Sequence, residues 1–170
     1  MSGYLADHSG STTCTLGDIN NQWYNIYCRT INVSAGNDIA ECVTGDAELK
    51  AGRIIIFDDN GCTHLTHQRL LPGARVLSDT YATLLGQTAE QAAPVAIAGR
   101  VLAYPYQDRS KYHAGMAVCS APDGTIDIMT REEMVQYPDC IIGIVTEIPN
   151  YNSWGPNNIP VDGRIWIMVR

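Results

Sequence analysis

The chain reads as a series of short strand-like runs cut by turn residues. Trp23, Asn25 and Tyr27 fall on one side of an extended segment, and Tyr24, Ile26 and Cys28 on the other. Arg53 to Phe57 and Met116 to Cys119 are each followed by a turn pair, Asn60-Gly61 and Asp123-Gly124. Such pairs supply positive φ at low cost, so each run is expected to enter a β-hairpin. Ile165 to Val169 reads as a buried strand. Helical character is confined to two places. Thr130 to Gln136 opens with a Thr-x-x-Glu capping box and is stopped by Pro138. Ser78 to Leu85 is a weaker candidate helix. Tyr104 to Arg109 is expected to be a connecting loop, and Pro149 to Pro160, rich in Asn and Ser, a long exposed loop.

Aligned with itself, the chain shows a duplication. Ala51-Gly52, a run ending at Phe57 and then Asn60-Gly61 matches Ala114-Gly115, a run ending at Ser120 and then Asp123-Gly124, with identical spacing. Leu84-Leu85-Gly86 matches Ile141-Ile142-Gly143, and Ile97 to Leu102 matches Val161 to Trp166. The expected fold is mainly β, a β-barrel or β-sandwich built from two related halves, with an N-terminal extended arm and one or two short helices. Residues 1–37 would form the arm and residues 38–170 the duplicated β domain, its halves about 49–104 and 112–170.

Composition narrows the function. Of 170 residues, 45% are hydrophobic and only 17% charged, which suits a globular chain with part of its surface hidden by partner subunits. The net charge of −7 and the lack of any basic run argue against a nucleic-acid partner. No apolar run approaches the ~20 residues of a membrane span, and the first ten residues lack the pattern of a signal peptide. Membrane insertion is therefore not expected. Cys14, Cys28, Cys42, Cys62, Cys119 and Cys140 form no Cys-x-x-Cys, so reduced, buried thiols are expected rather than a zinc site.

Candidate chemistry centres on Ser34-Ala35-Gly36-Asn37-Asp38-Ile39-Ala40-Glu41-Cys42, where two carboxylates follow a flexible Ser-Ala-Gly. On a straight strand Asp38 and Glu41 face opposite sides, about 10 Å apart, and would cooperate only across a bend or with a neighbouring subunit. They are equally readable as a turn-capping Asp and a solvated Glu. His64, His67 and His113 have no carboxylate at ligand spacing and read as polar loop residues. Tyr104, Tyr106, Tyr112, Tyr151 and Trp154 fall in expected loops. They could stack on a host surface glycan, or serve as loop anchors and subunit contacts. No metal and no cofactor is expected.

Leu16-Gly17, Trp23 and Ile26-Tyr27 resemble the repeat of tail-fibre stems. Asp38-Ile39-Ala40-Glu41, Leu49-x-Ala51-Gly52, Ala98-Gly99-Arg100-Val101 and Ile142-Gly143-Ile144-Val145-Thr146 occur in the order found in the C-terminal self-cleaving domain of phage pre-neck appendage and tail-spike proteins, the peptidase G2 type. The chain resembles that family over residues 16–170. The resemblance implies a homotrimer, an intramolecular chaperone role and a scissile bond between Asn37 and Asp38, with Asp38 and Glu41 as catalytic carboxylates. The expected function is a virion structural protein, a homotrimeric tail appendage or fibre-tip domain that promotes trimer assembly in the host cytoplasm and contacts other tail proteins. The alternatives are an autoproteolytic endopeptidase and a glycan-binding receptor module.

Overall fold

The computed structural model describes residues 36–44, 49–59, 61, 63–86 and 92–170. The arm expected over residues 1–37, with its stem-like motif, lies almost wholly outside them, as do Cys14, Cys28 and Cys62. Chain contacts divide the molecule into two units, Met1–Asn32 and Val33–Arg170. The second is the mainly β body.

In chain order its elements are β1 (Asp38–Thr44), β2 (Ile54–Phe57), β3 (Thr63–Leu65), β4 (Arg75–Val76), β5 (Tyr81–Leu85), β6 (Ala92–Ala103), β7 (Ala117–Ala121), β8 (Thr125–Ile128), α1 (Arg131–Gln136), β9 (Gly143–Glu147), β10 (Ser153–Trp154), β11 (Ile159–Pro160) and β12 (Ile165–Val169). They form a seven-stranded sheet of order β5-β1-β6-β12-β9-β7-β8, a three-stranded sheet of order β3-β2-β4, and the small ribbon β10-β11. The large sheet is mixed, because β1 runs parallel to β5 and antiparallel to β6.

The two expected hairpins form. β2 pairs with β3 and β7 with β8, both antiparallel, and Gly52 and Gly115 take positive φ at matching positions. The halves then diverge. The first hairpin belongs to the small sheet, the second to one edge of the large one. Leu84-Leu85-Gly86 closes a strand, whereas Gly143 opens one. Gly99-Arg100 does not open a strand but sits inside the twelve-residue β6, while Gly163-Arg164 occupies the turn before β12.

The main core lies between the two sheets. Ile54, Ala74 and Val76 of the small sheet meet Val101, Val118, Val145, Ile165 and Ile167 of the large one, with Tyr112 and Ile126. Burying such side chains contributes roughly 1.5–3 kcal/mol each. β12 lies mid-sheet, between β6 and β9; Ile165, Trp166 and Ile167 are buried as expected, while Met168 is exposed. Helix α1 carries the capping box: the Thr130 hydroxyl accepts from the Glu133 amide, and the Glu133 carboxylate accepts from the Thr130 amide.

Two expectations are corrected. Residues 81–85 form a strand, not part of a helix: Tyr-Ala-Thr-Leu-Leu favours the extended chain, and β1 is there to pair with it. Residues 149–160 are not an open loop, because they fold into the β10-β11 ribbon, whose Trp154, with Tyr151, packs over Trp166. Tyr112 is buried, and its hydroxyl donates to the Ile126 carbonyl at 2.8 Å. Burial pushes its pKa up to about 12.

Gly99 holds the centre of the large sheet. It pairs with Asp38 on one side and Val169 on the other, at φ 109°. A Cβ there would collide with the Asn37 carbonyl oxygen and the Asp38 backbone. Replacing Gly99 by Ala is expected to lower stability by about 2–4 kcal/mol, from backbone strain plus the clash, read as a fall in the urea midpoint.

Candidate functional site

The site is built where β1 begins. The Asn37 amide donates to the Thr80 carbonyl at 2.8 Å, and the Arg100 amide donates to the Asn37 carbonyl at 2.9 Å. Gly36 is packed so close that a Cβ there would strike the backbone at Ala82. The Asn37–Asp38 peptide is thus held between β5 and β6 by both neighbours.

Asp38 points inward and is 2% exposed. Its Oδ1 accepts from the Thr80 hydroxyl at 2.8 Å and the Ser78 hydroxyl at 3.1 Å. Its Oδ2 is buried with no hydrogen-bond partner among the described residues. Burial raises its pKa above the ordinary carboxylate value; the two hydroxyls oppose that shift and the nearby Asp79 charge adds to it. Ser78-Asp79-Thr80 bends at Asp79, and its side chains divide between two partners. Ser78 and Thr80 meet Asp38, while Asp79 turns away to a two-point ion pair with Arg164 at 2.8 and 3.0 Å. Arg164 is itself buried, donates also to the Val161 and Pro160 carbonyls, and lies 5.8 Å from the Tyr104 ring.

Glu41 is exposed, whereas Asp38 and Ala40 are buried. Register shifts occur at Asp38/Ile39 against β5 and at Ile39/Ala40 against β6, yet the inward-outward alternation persists. The two carboxylates of one chain therefore face opposite sides of the sheet and do not meet. The side chains gathered around Asp38 are Ser78 and Thr80. A Ser-x-Thr pair is the sequence signal for this, since its two hydroxyls can turn to one partner, but a helical reading of 78–85 hides it.

Besides the buried Tyr112, the other four candidate aromatics, Tyr104, Tyr106, Tyr151 and Trp154, are in different settings. Lys50, Arg53 and Arg164 lie 5.0, 4.6 and 5.8 Å from the Tyr104 ring centre, and its hydroxyl donates to Asp162. Trp154 meets Trp166 edge-on at 5.0 Å, and Tyr151 accepts from the Trp166 indole while donating to Glu147. Tyr106 alone of the four is more than half exposed, at 53%. Three of them are engaged within the fold.

A second polar cluster joins the 67–72 loop to α1. Arg69 pairs with Asp127 at 2.8 Å and with Glu133 at 2.7 Å, and donates to the Ile128 carbonyl. The Arg69 hydrogen bond holds the Glu133 carboxyl below its usual pKa. The buried thiols of Cys119 and Cys140 donate to the Asp127 and Leu70 carbonyls, and Cys42 is half-buried. Burial pushes the Cys119 and Cys140 thiols up. Among the described residues no three His, Cys, Asp or Glu side chains gather as a metal site, and no helix is long and apolar enough to cross a membrane. His64 lies 3.2 Å from Asp58.

No family model, curated protein or solved structure matches this chain.

The raised Asp38 pKa has a defined sign. The folded state binds this proton more tightly than the unfolded chain, so the Asp38 contribution to stability falls as pH rises past the unfolded carboxylate value. Asp38→Asn removes the ionisation while keeping an acceptor for Ser78 and Thr80. Its melting temperature relative to wild type is expected to be higher at pH 7 than at pH 4, by on the order of 2–4 °C in calorimetry. Glu41→Ala, on the exposed face, is expected to stay within about 0.5 kcal/mol of wild type at both pH values.

Proposed function

We propose that this chain is a phage virion structural protein: a homotrimeric tail appendage or fibre-tip domain whose β body promotes assembly of three copies. The observation that carries the reading is an apolar stripe on the outward face of the large sheet. Ile144, Met168 and Arg100 lie abreast on β9, β12 and β6, and Ala98, Ile39 and Thr83 lie abreast on β6, β1 and β5. Ile39 is 40% exposed and Met168 43%, with Ile144 and Leu85 similarly open. The one cation of the stripe, Arg100, is neutralised by Glu147 at 2.7 Å. Contiguous exposed apolar side chains on a rigid sheet are the usual mark of a surface meant to be covered. The same stripe would account for the low charge content of the sequence. The order of motifs shared with the appendage and spike domains points the same way.

Native mass spectrometry at micromolar concentration is expected to give three intact chains, and Ile39→Glu with Met168→Glu to give monomers that remain folded by circular dichroism. A monomeric wild type ends the proposal. A trimeric double variant moves the interface off this face.

A second reading is autoproteolysis between Asn37 and Asp38, and the Asp38 geometry favours it. A buried carboxyl with raised pKa and one free oxygen is suited to proton transfer. The amide bonded to the Asn37 carbonyl would polarise the acyl group, as oxyanion donors do. Water would add to that carbonyl carbon, the C–N bond would break and the Asp38 nitrogen would take up a proton. Glu41 of the same chain faces away, so it would take part only from a neighbouring copy. Denaturing mass spectrometry after long incubation is expected to show fragments ending at Asn37 and beginning at Asp38, and Asp38→Ala to remain whole. Wild type intact at every pH from 4 to 8 excludes this reading and leaves the structural one standing.

A further inference from the structure

The two sheets touch along one line and then part. β4 is an edge of the small sheet, yet Leu77, just after it, bridges to Val95 on β6, and the Ser78 amide donates to the Pro94 carbonyl at 2.8 Å. Beyond that bridge no ladder joins Arg75–Val76 to Ala96–Ile97. The cause lies on the opposite side of β6. Against β1, Ile39 pairs with Ala98 but Ala40 pairs with Ala96, so Ile97 is an extra residue, a β-bulge. A bulge twists its strand and re-aims the inserted side chain. Ile97 is left 44% exposed at the mouth of a gap.

The gap is a pocket of about 130 Å³. Its floor is Ala74, Val76, Ala96 and Ile142, all buried members of the main core, and Val169 forms a wall. Two alanines leave the space that larger side chains would close, although interiors are normally packed to crystal density. An apolar floor of this kind leaves room for a small aliphatic group. The rim is different in character. Arg75 and Arg170 both line it, and neither has an ion pair among the described residues. The Arg75 guanidinium reaches only the adjacent Ala74 carbonyl, at 3.1 Å. By contrast, Arg69, Arg100 and Arg164 each have a carboxylate partner. In a chain of net charge −7, two arginines without a carboxylate partner among the described residues line the same pit.

We infer that this pocket binds a short aliphatic carboxylate, with a chain of about three to four carbons on the alanine floor and the carboxylate on Arg75 and Arg170. Guanidinium presents a planar fork that matches a carboxylate, and the dry floor excludes acids that are entirely polar. Such a group could come from a free short-chain acid or from the carboxyl end of another polypeptide bearing a small apolar side chain. The inference does not depend on how many copies assemble or on cleavage at Asn37.

The test is an amide NMR titration of the whole chain with sodium butyrate, N-acetyl-L-valine, sodium acetate and 1-butanol. Butyrate or N-acetyl-L-valine is expected to shift the amides of 74–76, 96–97, 142 and 169 with a dissociation constant on the order of 1–10 mM. The tighter of the two tells a free acid from a chain end. Acetate, lacking the apolar tail, and 1-butanol, lacking the charge, are expected to bind at least about fivefold more weakly. Arg75→Gln, an exposed change, is expected to weaken the carboxylates by a similar factor, equivalent to about 1 kcal/mol, and to leave 1-butanol unaffected. Ala74→Val, which fills the floor, is expected to abolish all binding. No shift at 50 mM butyrate or N-acetyl-L-valine overturns the inference. Equal binding of butyrate and 1-butanol, unchanged by Arg75→Gln, does so as well.

Discussion

The structure depends on one close approach, that of Gly99 to the Asn37–Asp38 backbone. β6 is the longest strand, and it changes partners along its length, from β1 over its first part to β12 over its second. Gly99 is where the change occurs and is paired on both sides. Only a residue without Cβ can take φ 109° there while the Asn37 carbonyl lies against it. That contact ties the start of the body to its centre and brings Asp38 beneath Ser78 and Thr80.

The same strand explains both unusual features of the body. Its bulge at Ile97 parts it from β4 and opens the arginine-rimmed pocket. Directly after it, its outward face continues the stripe through Ala98 and Arg100. On the inward face the large sheet is closed by the small one; on the outward face the β10-β11 ribbon covers Trp166 and Leu102. That cover holds Tyr151 and Trp154 in place and leaves Met168, two residues further along β12, open. One sheet thus carries a sealed face, a capped region and a bare region.

Several buried polar groups gather near the same junction. Asp38, Ser78, Thr80 and Arg164 are all buried, and each but Asp38 has its polar groups matched. Buried polar groups are normally satisfied, so an orphan carboxylate oxygen marks a place of strain or chemistry. Segment 78–80 divides its side chains between Asp38 and Arg164, and so couples the beginning of β1 to the turn before β12. Residues far apart in the chain are joined there by the Asp79–Arg164 ion pair as well as by the β6-β12 ladder.

Much was readable from the residues alone, where the signal is local. Turn pairs at Asn60-Gly61 and Asp123-Gly124 mark both hairpins, the Thr130 capping box marks α1, and the apolar run 165–169 marks a buried strand, because φ preference, capping and burial each act over a few residues. The mainly β class follows from these. What required the tertiary structure is set by partners distant in the chain. Residues 81–85 are extended because β1 offers a parallel partner, and β1 lies about forty residues earlier, outside any local window. Tyr151 and Trp154 are covered because Trp166 needs a lid. Asp38 was singled out by sequence, yet its hydroxyl partners, its free oxygen and its separation from Glu41 are products of packing: a strand's alternation says which side a residue takes, and only the assembled sheets decide which side is core.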